Sequence, residues 1–207
     1  MKANTWKEQI SNFFKNLNQQ VLFTMKNSVV SDLDLNEEPI TLADGRVVTF
    51  ALQNTRVIYQ MVDVEYRAYH QVMSWTAQDF LYDMTENPNT YYIQAFVGEE
   101  LAGFVGCRRD RTDVHISNFV VNPDFQSMGI GAALLQRAIC CAKQLDRNAM
   151  SLEVRASNHG AQRFYQRFGF YESATKERYY SDNDEDAYEM RLMPLMNIDQ
   201  IEVIESA

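Results

Sequence analysis

A chain of 207 residues has room for one domain and an appendage. Its 8 Gly and 4 Pro are too few for a linker-like or repetitive chain, and 46% hydrophobic residues, including 12 Phe, can fill a core. A net charge of −9 argues against nucleic acid as the partner, because the longest basic cluster, Arg108-Arg109-Asp110-Arg111, is short and interrupted by an acid. No apolar run approaches the roughly 18 residues that suggest a membrane-spanning helix, so no membrane insertion is expected. The opening MKANTWKEQISNFF has neither a continuous apolar stretch nor a small-residue cleavage site, so export is not expected. Cys107, Cys140 and Cys141 form no C-x-x-C pair, so neither a disulfide framework nor a metal site is expected, and a cytoplasmic location follows.

In chain order, Trp6, Ile10, Phe13, Phe14, Leu17 and Val21 recur at spacings of 3 and 4, which places them on one helix face. That face could dock a partner or pack on its own domain. Residues 31–39 read as an acidic linker, so 1–45 is an extension, 46–194 the domain and 195–207 a tail. Residues 47–50 are a β-branched run. Thr55 can cap a helix carrying Val57, Ile58, Met61, Val62 and Val64 and ending near Tyr69. Thr76 can cap a second helix that buries Phe80 and Leu81, and Asn87-Pro88-Asn89 stops it. Strands at 91–97 and 101–107 form a hairpin through Gly98-Glu99-Glu100. A strand at 114–121, a helix at 130–145, a strand at 150–154 and a helix at 161–168 follow, with closing strands at 170–179 and 188–193. Strands and helices alternate in the middle between hairpins, which argues a mixed α/β sheet.

The most informative stretch runs from Phe119 to Leu135. A strand ends at Asn122-Pro123, and the loop Gln126-Ser127-Met128-Gly129-Ile130-Gly131-Ala132 opens directly into a long helix. Glycine lets an anion approach the backbone, and the first helix amides carry free donors at the positive end of the dipole. The two together suit a pyrophosphate. A dinucleotide fingerprint would need a third glycine where Leu134 stands, and no Gly-Lys-Ser/Thr of a Walker loop is present. A glycine turn used only for close packing is the competing reading.

Gln126-x-x-Gly129-x-Gly131-Ala132 after a strand resembles motif A of the GNAT acetyltransferases. Downstream, Leu152-Glu153-Val154-Arg155-Ala156-Ser157-Asn158, Ala161, Phe164-Tyr165, Phe168-Gly169-Phe170, Tyr179-Tyr180, Glu185-Asp186-Ala187 and Met190 are similar to the RimI family, which acetylates the N-terminal alanine of ribosomal protein S18. The resemblance covers about Arg46 to Pro194. It implies a central, mostly antiparallel sheet of about seven strands with a splayed parallel pair, flanked by about four helices. It also implies acetyl-CoA as cosubstrate, held by Gln126 to Ala132 and by backbone groups of Phe119, Val120 and Val121, with Asn158 nearby. Finally it implies Glu153 as general base and Tyr165 as the acid that protonates the coenzyme A sulfur.

Each role has a plain structural rival. Glu153 lies in an apolar strand, where an unpartnered buried carboxylate is costly, so it faces a functional cleft or pairs with Arg155 or a neighbouring strand. Partial burial would raise its pKa into a useful range. Tyr165, protonated at neutral pH, shares its helix stripe with Phe164 and Phe168 and could be a core aromatic. Asn158 reads first as a helix cap, with His159 in the first turn. His70, His115 and His159 stand at no ligand or dyad spacing, and the adjacent Cys140 and Cys141 read as packing.

On the acceptor side, Asp182, Asp184, Glu185 and Asp186 between the last two strands could attract a cationic N-terminus or be an ordinary solvated tip, with Tyr69 and Trp75 as the opposite wall. Besides protein N-terminal acetylation, acetylation of a small amine or of lysine, and a non-catalytic coenzyme-binding module, are the alternatives.

Overall fold

The computed structural model describes residues 28–69 and 75–195. The helix expected from Trp6 to Val21, His70, and the tail beyond Leu195 lie outside the described residues. Eight strands form one sheet: β1 (Ile40–Thr41), β2 (Val47–Leu52), β3 (Thr90–Val97), β4 (Glu100–Arg109), β5 (Val114–Val121), β6 (Met150–Arg155), β7 (Tyr171–Tyr180) and β8 (Glu185–Leu192). Their order is β1-β2-β3-β4-β5-β6-β8-β7. Every pairing is antiparallel except β5 with β6. Four α-helices flank the sheet: α1 (Ile58–Ala68), α2 (Ala77–Glu86), α3 (Ile130–Gln144) and α4 (His159–Arg167).

The sheet separates two apolar layers. On one face Leu134, Leu135 and Ile139 of α3 and Tyr165 of α4 pack over Ile93, Val105, Ile116, Met150 and Leu152. On the other, Met61 and Val64 of α1 and Phe80 and Met84 of α2 pack over Tyr92, Phe104 and Val120. Strict alternation would put Ile116 and Val120, four residues apart, on one face, but an extra residue in β5 between them sends Ile116 to the α3 side and Val120 to the α1 side. Among the described residues no helix is long and apolar enough to cross a membrane.

Local signals behave as their chemistry dictates, with three corrections. Thr76 and Asp79 form a reciprocal capping box on α2. Asn158 caps α4, its Oδ1 accepting from the Ala161 amide at 3.0 Å. The cap before α1 is Asn54 rather than Thr55: its Oδ1 accepts from the Arg56 amide at 3.1 Å and starts a 3-10 turn that leads into the helix. The strand count exceeds the expected seven by one because two residues, Ile40 and Thr41, pair with β2 across the Leu42–Arg46 turn. Such a strand is too short to show a period.

The third correction concerns 31–39, which is no free linker. Val29, Leu35 and Leu42 are buried in the main core. The Arg137 guanidinium on α3 donates to the carbonyls of Asn36 and Glu38 at 2.9 and 2.7 Å while stacking 3.5 Å over the Phe50 ring. The Gln144 amide group pairs both ways with the Asp34 backbone at 2.8 Å. Sparse, spaced apolar residues in an acidic segment hide such docking, because its backbone is satisfied by side chains a hundred residues away.

One interruption prepares the site. β5 and β6 pair only from Val114–Met150 to Ile116–Leu152, and beyond that the strands part. At the same level β5 gains an extra residue, Ser117, against β4: Ile116 stands opposite Cys107 and Asn118 opposite Gly106. A Cβ on Gly106 would lie 2.5 Å from the Tyr92 ring, so only glycine admits that ring beside the bulge.

Candidate active site

The loop after β5 is shaped by backbone. Asn122 is 1% exposed, accepts from the Asp124 amide through Oδ1 at 3.2 Å and donates from Nδ2 to the Leu101 carbonyl at 3.2 Å, pinning the turn to β4. Ser127 and Gly129 both adopt left-handed backbone, at φ 62° and 84°. Gly129 is the N-cap of α3 and offers no side chain to the helix amides. The first closed bond of the helix runs from the Ala133 amide to the Gly129 carbonyl at 3.0 Å. The amides of Ile130, Gly131 and Ala132 therefore have no intrahelical acceptor and point out of the positive end of a 15-residue helix. A Cβ on Gly131 would meet Val121, Phe119 and Phe164 at 3.5–3.7 Å, so this helix start abuts the parted strands. Gln126 spends its amide on the Val121 carbonyl at 3.2 Å, and Met128 is exposed. Arg46, which drew no attention in the sequence, reaches across from β1–β2: it lies over the Phe125 ring, donates to the Met128 Sδ at 3.2 Å and pairs with Asp44 at 2.6 Å, placing an ion pair beside the turn.

Past Ile116 and Leu152, one edge each of β5 and β6 has no strand partner; Phe119 and Val121 lie on that stretch of β5, and the Val120 side chain turns to the α1 layer. Tyr165 is 7% exposed and packed edge-on or tilted against Phe119, Phe164 and Phe170 at 5.9, 5.2 and 5.5 Å. Burial pushes its phenol well above the ordinary value, and Tyr69, Cys107 and Tyr180 push it further, so it keeps its proton. Tyr180 is pushed up to about 12, chiefly by burial. The Tyr69 hydroxyl donates to the Phe119 carbonyl at 3.5 Å. The structure thus brings Phe119, Val121, Gly131 and Tyr165 together, whereas Asn158 is engaged in capping α4.

Glu153 is where the expectation about acidity fails. It is the first β6 residue beyond the β5 pairing, and its side chain is 11% exposed. Its Oε1 accepts from the Lys176 Nζ of β7 at 2.5 Å and its Oε2 lies 3.1 Å from the His115 Nε2 of β5. Burial raises its pKa, but hydrogen bonds from His115 and Lys176 outweigh it and hold the carboxyl down at about 2. The partner is thus neither Arg155 nor solvent. His115 completes the cluster: its Nδ1 sits 3.0 Å from the Ser151 Oγ, and the parallel register pairs it with Ser151. His115 was set aside because no partner stood near it in sequence. Ser151 and Glu153, two apart on one strand face, were the only legible hint. Lys176 also reaches Glu189 at 3.4 Å, and Arg191 links Glu189 to Asp113, so the face of β5, β6, β8 and β7 beside the gap carries a row of alternating charges.

The acidic turn between β7 and β8 is largely spent on its own architecture. Arg155 holds Asp182 at 2.9 Å and Glu185 at 3.1 Å and stacks 3.9 Å over Tyr180. Glu185 accepts from the Ser157 amide at 2.8 Å, which with Arg155 and Asn183 holds it down at about 2, and Asp186 accepts from the Arg178 amide at 2.8 Å. On the opposite wall the structure reveals a group absent from the sequence reading: Glu65 of α1 is 2% exposed, its Oε2 accepts from the Trp75 amide at 3.2 Å, and it bonds the Asn118 side chain.

Residues 55–170 match the Acetyltransferase (GNAT) family. A Bacillus subtilis protein provisionally named a [ribosomal protein bS18]-alanine N-acetyltransferase is 35% identical over 113 residues, 55% of this chain and 75% of that one. The Escherichia coli [ribosomal protein bS18]-alanine N-acetyltransferase is 30% identical over 131 residues, 62% of this chain and 86% of that one. The crystal structure of the Escherichia coli ribosomal-protein-S18-alanine N-acetyltransferase superposes with a TM-score of 0.64 at 28% identity, covering 71% of this chain and 94% of that one. The family match over more than half of the chain decides its membership: the chain belongs to the GNAT family and is an acetyl-CoA-dependent acyltransferase.

Proposed function

We propose that this enzyme transfers acetyl from acetyl-CoA to the α-amine of a protein N-terminus, with the N-terminal alanine of ribosomal protein S18 as acceptor. The observation that carries the reading is the position of Phe119, whose ring touches both the start of α3 at Gly131 and the catalytic candidate Tyr165. Anion donors and proton donor are thereby separated by one side chain. In this reading the amides from Ser127 to Ala132 hold the pyrophosphate, with Gln126 bracing the loop and Arg46 beside the turn. Backbone groups of Phe119, Val120 and Val121 hold the pantetheine arm, and Asn158 fixes the start of α4. The bound thioester supplies the acetyl group, a new C–N bond replacing its C–S bond.

The acceptor side rests on Glu153. An α-amine arrives as an ammonium, the same chemical group that Lys176 already presents to Glu153 Oε1. Exchange of one ammonium for the other puts the acceptor beside the gap with one of its N–H protons already on Glu153, directly or through water, which is the proton Glu153 receives as the amine attacks. Tyr165 holds the proton the departing thiolate needs. The relatives named for bS18 alanine support a protein N-terminus over a free polyamine.

Thiol release measured with a peptide bearing the S18 N-terminal sequence, the same peptide blocked at its α-amine, and spermidine tests this. Turnover is expected with the free peptide alone; equal rates with the blocked peptide or with spermidine overturn the proposal.

A further inference from the structure

Glu65 is a buried carboxyl that the proposed chemistry does not use, and it sits at the knot of the acceptor wall. From α1 it accepts from the amide of Trp75, where the α1–α2 connector returns to described structure, at 3.2 Å. Across the sheet it bonds the side chain of Asn118, the β5 residue next to Phe119 and just past the bulged Ser117. One turn along α1, Tyr69 closes its amide onto the Glu65 carbonyl at 2.9 Å and its hydroxyl onto the Phe119 carbonyl. The two aromatic residues of the wall, Tyr69 and Trp75, are thus tied to the same short piece of β5, one by a phenol and the other through Glu65.

We propose that Glu65 is a positioning residue for the acceptor, its charge state setting how firmly Trp75 is held against β5 and hence how tightly the acceptor's first residue is bound. This rests on the reading of the wall given above. As a carboxylate, Glu65 accepts from both Trp75 and Asn118. Once protonated it keeps only a neutral carbonyl oxygen as acceptor for the Trp75 amide, a weaker partner than the carboxylate, so the grip on Trp75 weakens. Among the described residues Glu65 makes no salt bridge, and burial pushes its pKa up to about 7. The titratable groups that face it are Tyr69 on its own helix and Tyr92 on β3, with Asp83 of α2 behind Tyr92, which donates to its Oδ2 at 2.8 Å. The two tyrosines do not titrate near neutrality in place of Glu65, because burial pushes both above their ordinary value.

Trp75 reports on its own tether. In the substrate-free full chain carrying Trp6→Phe, Trp75 emission is expected to titrate with a midpoint near 7 and to lose that transition when Glu65→Gln is added. Persistence of the transition in the double variant, as His70 nearby in sequence would give, or its absence from the single one, overturns the proposal. In steady-state assays the acceptor KM is expected to rise about fivefold from pH 8 to pH 6, in the wild type and not in Glu65→Gln, while the acetyl-CoA KM shows no such difference. A Glu65→Gln profile identical to wild type, or a change carried by the acetyl-CoA KM, also overturns it. If no amine is acetylated at all, the functional reading fails, whereas the emission titration still decides whether Glu65 grips Trp75.

Discussion

The two halves of the site are made of different material. The half at the start of α3 is backbone: a left-handed Gly129, three amides with no acceptor in their helix, and hardly any side-chain chemistry. The half beside Glu153 is side chain: His115 from β5, Ser151 and Glu153 from β6, Lys176 from β7 and Glu189 from β8, joined by contacts of 2.5 to 3.4 Å. A backbone site needs only a contiguous stretch of chain in the right conformation. A side-chain site needs four strands in register. Binding and chemistry are accordingly separable, and substitutions should damage one without the other.

The largest separation should come from the chemical half. Tyr165→Phe keeps the ring against Phe119, Phe164 and Phe170 and removes only the hydroxyl, so kcat is expected to fall about 100- to 10,000-fold with acetyl-CoA affinity unchanged by calorimetry. Glu153→Gln should behave the same way toward coenzyme. Loss of coenzyme affinity in either variant would merge the halves. Gly129→Val is the mirror test. At φ 84° a β-branched residue costs on the order of 1–2 kcal/mol, and the turn relaxes away from the conformation that aims its amides, so acetyl-CoA affinity should drop about tenfold while the fold remains. A Cβ there would meet nothing within 4 Å, so a steric collapse of the core is not expected to confuse the result.

The last test concerns stability rather than catalysis or binding. Glu65 has a folded pKa of about 7, above its ordinary value of 4.5, so the folded state holds its proton more tightly and stability is lost as pH rises from about 4.5 through 7. Glu65→Gln escapes that loss. In urea titrations it is expected to exceed wild type by about 3 kcal/mol at pH 8 and by about 1 kcal/mol at pH 5.5. A constant difference across pH would mean that Glu65 does not titrate there.

Much of this was legible from residues alone where the signal is local. Asn122-Pro123 and Gly129-x-Gly131 announced the end of β5 and the open start of α3. Thr76 and Asn158 announced their helices. What stayed hidden was every contact that depends on register. His115 looked isolated until the parallel pair set it against Ser151, and Glu153 was expected to be a raised-pKa acid until Lys176 arrived from β7. The acidic segment 31–39 looked like a tether because Arg137 and Gln144, which hold it, lie about a hundred positions away.

By itself, then, the sequence determined the alternation of strands and helices, the family and the glycine turn that opens α3, because each follows from short-range backbone preferences, a local motif or the burial period. Tertiary structure alone decided the ionisation of Glu153, the company of His115 and the burial of Glu65. A side chain's acidity is set by whatever charge and water lie within a few ångströms, and only folding brings those neighbours from distant parts of the chain.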